Sequence, residues 1–151
     1  MINFKFFNGN IISDYKTYVN DYIKMYPETT IIVGTDSEQY RNNTTYVTVI
    51  GLLRPRKGVH IIYTKERVKK IKDIFTRLWN EIEYSRTIAD DLSKSLIKTD
   101  PITVHIDINN NKKEKSNMVH DSAMGYLKSL GYNVESKPNS WAASKAADML
   151  C

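Results

Sequence analysis

The chain has 151 residues, enough for one domain with a full core, and its 22 Lys and Arg against 17 Asp and Glu leave a net charge of +5. That excess suits a polyanionic partner and equally an ordinary solvated surface. The single cysteine, Cys151, excludes an internal disulfide, and the absence of a long apolar core after Met1 or of any transmembrane-length apolar stretch argues against export and membrane insertion. The expected location is cytoplasmic, in the host cytoplasm if the chain is viral; the abundance of Asn, Lys, Ile and Tyr suggests an AT-rich genome, viral or low-GC bacterial.

Phe4, Phe6, Ile11 and Ile12 flank Asn8-Gly9, a dipeptide that favours a two-residue type I′ turn, so the chain is expected to open on a hairpin. Ser13 is placed to cap a helix through Met25, with Tyr15, Val19, Tyr22, Ile23 and Tyr26 at helical spacing and Pro27 ending it. Residues 1–28 thus read as an accessory hairpin and helix before a core over 29–151, all within one domain, 1–151.

Ile31-Ile32-Val33, three β-branched residues followed by Gly34, suits a buried central strand, and it delivers Asp36. Asp36-Ser37 equally suits the start of a turn. A turn over Arg41 to Thr44 leads to a second strand, Thr45 to Leu53. Arg54-Pro55-Arg56-Lys57-Gly58 turns again into a third, Val59 to Thr64, giving an antiparallel meander. From about Glu66 to Leu96 the apolar residues hold helical spacing without Gly or Pro, which predicts one long amphipathic helix. Pro101 starts a fourth strand, Ile102 to Ile108, parallel to the first by the crossover rule. Lys112 to Lys115 lead into a helix carrying Met118, Val119, Met124, Leu127 and Leu130 with its stop at Gly131, and a fifth strand over Tyr132 to Lys137 and an alanine-rich helix capped by Ser140 complete the chain. Three antiparallel strands followed by alternating helix and strand define a mixed sheet flanked by helices.

Asp107 ends the fourth strand as Asp36 ends the first, and His105 shares its face. If the two parallel strands are neighbours, the carboxylates meet at one sheet end. At about 5 Å and an effective dielectric near 20 their repulsion is roughly 3 kcal/mol, so either one stays protonated or a divalent cation lies between them. On the long helix, Glu81 falls about 75° from the centre of the apolar stripe, with Ser85 one turn later on the same edge. That edge reads either as the wall of a polar pocket or as a rim where Glu81 pairs with Arg77. On the last helix, Asp148 shares a face with Trp141, Ser144 and Lys145, and the residues alone favour an ordinary pair with Lys145.

These residues taken together resemble the ribonuclease H-like YkuK family, bacterial and phage proteins related to RuvC-type nucleases. The resemblance rests on Val33-Gly34-Thr35-Asp36-Ser37, on Glu81 with Ser85, on His105-Ile106-Asp107, and on Lys137-Pro138-Asn139-Ser140-Trp141-Ala142-Ala143-Ser144 leading to Ala147-Asp148. It implies an α/β, ribonuclease H-like mixed five-stranded sheet of order 3-2-1-4-5 with strand 2 antiparallel. It also implies a catalytic site where Asp36, Glu81, Asp107 and, as fourth member, Asp148 hold Mg²⁺ or Mn²⁺. The family often has Asp where this chain has Asn139, a neutral and weaker ligand. The implied activity is hydrolysis of DNA, RNA or a hybrid by a monomer or homodimer. The alternative is a catalytically weakened nucleic-acid-binding or structural protein. Arg54, Arg56 and Lys57 on the second hairpin, and Lys112, Lys113 and Lys115 after Asp107, are candidate backbone contacts, although each group also reads as a solvated turn.

Overall fold

A computed structural model of the chain describes residues 2–97, 100–108, 117–137 and 139–151. Its elements are β1 (Phe4–Lys5), β2 (Ile11–Ile12), α1 (Tyr15–Met25), β3 (Thr30–Tyr40), β4 (Asn43–Arg54), β5 (Gly58–Lys69), α2 (Ile74–Ser95), β6 (Thr103–His105), α3 (Asn117–Ser129) and β7 (Asn133–Glu135). A C-terminal helix follows, wide-turned (π) over Ala142–Ala147 and α-helical over Asp148–Leu150.

The strands form one sheet in the order β2-β1-β5-β4-β3-β6-β7. Its inner five strands, β5-β4-β3-β6-β7, are the expected 3-2-1-4-5 arrangement, with β3–β4 antiparallel and β3–β6 and β6–β7 parallel. The sheet nevertheless has seven strands, not five, because the opening hairpin pairs with the outer edge of β5 at Lys5↔Tyr63 rather than standing apart. α1, α2 and α3 contribute to one apolar core, built on Val33, Ile50, Leu52, Ile62, Val104 and Leu127. The C-terminal helix covers Val47 and Val49 on the opposite face.

Directly opposed residues share a face, so register fixes what each side of the sheet presents. Ser37, Tyr46 and Glu66 form a row on the α2 face. The rows Asp36–Val47–Lys65, Glu38–Thr45–Arg67 and Tyr40–Asn43–Lys69 lie on the face of the C-terminal helix. That helix lies very close to the sheet: a Cβ at Gly34 would stand 2.6 Å from the backbone nitrogen of Ala143, and one at Gly51 would stand 2.9 Å from the Trp141 ring. Glycine is needed at position 34 because backbone packs on backbone there.

Local details depart from expectation for identifiable reasons. Only Gly9 of the Asn8-Gly9 pair has positive φ (+88°), and Gly9 N–H donates to the Phe6 carbonyl while Phe6 N–H donates to that of Asn10. The loop is therefore a three-residue turn with a left-handed glycine, not a two-residue type I′ turn. Asp14, not Ser13, caps α1: its carboxylate accepts from Lys16 and Thr17 N–H. The long helix is shorter than its apolar spacing suggested. β5 stays paired with β4 as far as Asn43↔Lys69, and α2 begins only after Asp73, whose Oδ2 accepts from Thr76 N–H at 3.0 Å. Val68 and Ile71 mimic helical spacing but line a groove between β5 and α2.

Candidate active site at the end of the sheet

The site arises where one parallel strand stops and its neighbour continues. β6 pairs with β3 only as far as Gly34↔His105, whereas β3 runs on to Tyr40. Continuing the register would set Asp107 level with Asp36, so both carboxylates border the resulting notch. Asp36 lies on the C-terminal-helix face, in the row beyond Gly34. Asp36 and Glu81 are only 8% and 5% exposed.

Glu81 reaches the notch from the other face. Thr35 Oγ1 lies 2.7 Å from Ser85 Oγ and 3.0 Å from Thr48 Oγ1, a buried hydroxyl contact that seats α2 on β3. Ser85 therefore seals the helix onto the sheet rather than walling an open pocket. One turn earlier, Ser37 Oγ donates to Glu81 Oε2 at 2.5 Å. Arg77 does not pair with Glu81 at a rim: its Nε donates to Ser37 Oγ at 2.8 Å and its NH2 group to the Ser37 carbonyl at 3.1 Å. The guanidinium fixes the serine, and the serine fixes the glutamate.

The electrostatics link all four acidic residues. Burial foremost, then the Asp107 charge, pushes the Asp36 carboxyl up to about 7, with the neighbouring Asp148 carboxyl adding to the rise and Ser37 N–H, at 2.8 Å from Oδ1, opposing it. Burial likewise raises Glu81 well above the usual carboxylate range. The Ser37 hydrogen bond and Arg77 partly offset this, while the Asp36 and Asp107 charges add to it. Asp148 is itself exposed, yet its carboxyl reaches Asp36 because the close approach at Gly34 brings the last helix down on β3.

Lys137, a residue with no role legible in the sequence, also borders the site, with His105 and Asn139 near it. Lys137 Nζ stands 3.0 Å from Asp107 Oδ1, and the lysine side chain is 44% exposed. The approach is too oblique for a hydrogen bond, so among the described residues this buried oxygen has no hydrogen-bond partner. His105 is buried edge-on to Trp141 and accepts at Nδ1 from Ala142 N–H, 3.2 Å away. Burial lowers its pKa to about 4, so it is neutral at pH 7 and joins the last helix to β6. Asn139 is exposed, and its backbone N–H closes a turn on the Ser136 carbonyl.

The candidate basic residues lie elsewhere. Arg54, Arg56 and Lys57 occupy the β4–β5 turn at the opposite end of the sheet. Arg54 Nε is held by Glu28 at 3.0 Å, and its guanidinium lies over the Tyr26 ring. Lys112, Lys113 and Lys115 fall outside the described residues.

The donor chemistry fits a hard divalent cation: several buried carboxylate oxygens, one without a hydrogen-bond partner, and a charge cluster that favours protonation when alone. Their arrangement is not that of a loaded site. Among the described residues no three His, Cys, Asp or Glu side chains are gathered as a metal would hold them. A cation held there would require these side chains to move, Asp107 giving up its contact with Lys137.

No curated protein matches the chain. A family model described as ribonuclease H-like matches residues 11–151, everything from β2 onward. With the 3-2-1-4-5 core and acidic residues converging on the end of its central strand, that match bears out the resemblance read from the sequence, and the chain belongs to the ribonuclease H-like family.

Proposed function

We propose that this chain is a Mg²⁺- or Mn²⁺-dependent nuclease whose Asp36, Glu81, Asp107 and Asp148 form the metal-holding set. The observation that carries this reading is that carboxylates from four separate segments come within electrostatic reach at one sheet end, where burial and like charge disfavour the charged forms of Asp36 and Glu81. A bound divalent metal would neutralise the cluster and supply Lewis-acid and water-activating chemistry for phosphodiester hydrolysis. Asp36 and Asp107 present oxygens to the notch, and Ser37 with Arg77 holds Glu81 in place from the opposite face. Lys137, once released from Asp107, supplies a cation beside a phosphate. His105 contributes rigidity and no proton at neutral pH, since its Nδ1 is engaged by Ala142 N–H.

Binding of a nucleic acid without cleavage is the second reading, favoured by the Lys137 ammonium on Asp107 and by exposed Asn139 where an acidic residue would strengthen the site. Calorimetric titration of Mn²⁺, paired with a cleavage panel of labelled DNA, RNA, hybrid and junction substrates, separates the two. The nuclease reading expects Mn²⁺ heat and cleavage, both reduced more than about 100-fold in Asp36→Asn. Wild-type protein that takes up no Mn²⁺ and cuts none of the substrates overturns it.

A further inference from the structure

Exposed basic residues at alternate positions of one strand point to a contact surface outside the carboxylate notch. We propose that Lys65, Arg67 and Lys69 on β5 form a phosphate-binding ladder for one strand of a nucleic acid, an inference that rests on the nucleic-acid reading above. Their cross-strand rows are those of Asp36, Glu38 and Tyr40, so the ladder shares a sheet face with the notch, two strands away, about 10 Å. Positions i, i+2 and i+4 of a strand lie about 7 Å apart, close to the separation of successive phosphates in an extended polynucleotide. All three side chains are exposed, and none is in an ion pair among the described residues.

Charge is sorted by strand on this face. The acidic residues of its rows belong to β3, the basic ones to β5, and Glu66 faces the other way. β1 pairs with β5 only at Lys5↔Tyr63, so among the described residues no strand lies on the outer side of Thr64 to Lys69, the side away from β4. Leu150 and Cys151 of the C-terminal helix pack in the cluster of Val47, the residue between Asp36 and Lys65 in their row, so a bound strand passes over the last turn of that helix. Arg54, Arg56 and Lys57, by contrast, lie about 20 Å from Asp36 along β3 and its partner strand.

Lys and Arg on an edge strand also discourage unwanted strand pairing, and the test distinguishes that role. Binding of a fluorescein-labelled oligothymidylate is followed by anisotropy across a salt series with Ca²⁺ present. The proteins are wild type, a Lys65→Gln/Arg67→Gln/Lys69→Gln triple variant and an Arg54→Gln/Arg56→Gln/Lys57→Gln triple variant of equal charge loss. The ladder variant should lose about 2 from the magnitude of the log–log salt slope and more than about tenfold in affinity, while the other changes the slope by less than about 0.5. Mn²⁺ affinity and melting temperature should stay near wild type in the ladder variant. Equal effects in the two variants, or aggregation of the ladder variant with undiminished affinity, overturn the ladder while leaving the nucleic-acid reading intact. Wild type that binds no oligonucleotide overturns both.

Discussion

At the residue scale, Asp36 ties the stability of the fold to pH. Its pKa rises from 3.8 unfolded to about 7 folded, so the stabilisation it contributes is complete below about 4 and is lost as pH rises through about 7. His105 acts in the opposite sense: lowered from 6.5 to about 4, it contributes stability above 6.5 that is lost as pH falls through about 4. The two trends overlap in the wild type, and a comparison with Asp36→Asn separates them. In metal-free protein that substitution keeps an acceptor for Ser37 N–H and removes the repulsion. It should raise the melting temperature by about 2–8 °C above pH 7, with the gain shrinking toward pH 4 in calorimetric scans. A drop at pH 8 would make Asp36 a structural residue. Lys137→Met removes the cation that competes for Asp107 and should tighten Mn²⁺ binding about fivefold in calorimetry, while weakening oligonucleotide binding. Asp36 and Asp107 were legible in the sequence because each closes an apolar run. Glu81 was legible because it interrupts a helical stripe. Its hold by Ser37 and Arg77, and the approach of Lys137, were not, since those contacts join residues 40 or more positions apart or a lysine in a loop.

Among the elements, the C-terminal helix is placed by absences of side chain. Gly34→Ala would force a Cβ against the Ala142 and Ala143 backbone, so it should cost about 1–3 kcal/mol, a fall of about 2–12 °C in melting temperature, and weaken Mn²⁺ binding by lifting Asp148 away. Gly51→Ala meets only the outer edge of the Trp141 ring, which can shift, and should cost less than half as much in the same thermal scans. Asp73→Ala, which removes the α2 cap, should cost about 1 kcal/mol without changing metal affinity. Reading the sequence recovered this helix and its Ala-rich face but not its wide turns, because the packing at Gly34 involves a strand more than 100 residues earlier. The same limit misplaced the start of α2. Val68 fits a helical stripe and a strand alternation equally, and only pairing with Thr44 decides between them.

For the whole molecule, the alternation of elements announced a mixed sheet flanked by helices and the family resemblance its core order, whereas the joining of the opening hairpin to β5 depends on a single bridge that no pattern announces. On the proposed reading, the charge distribution couples metal to nucleic acid. The acidic notch repels phosphate until neutralised, so saturating Mn²⁺ should tighten oligonucleotide binding by Asp107→Asn less than by wild type, and bound oligonucleotide should tighten Mn²⁺ by the same factor that Mn²⁺ tightens it. Calorimetry run in both orders checks that equality. The row Asp36–Val47–Lys65 crosses three strands hydrogen-bonded along their length, with no hinge between its ends. Such a row acts as a ruler: a polynucleotide anchored on β5 would meet the notch a constant number of nucleotides away, and end-labelled substrates would yield fragments of discrete size rather than a continuous ladder of lengths.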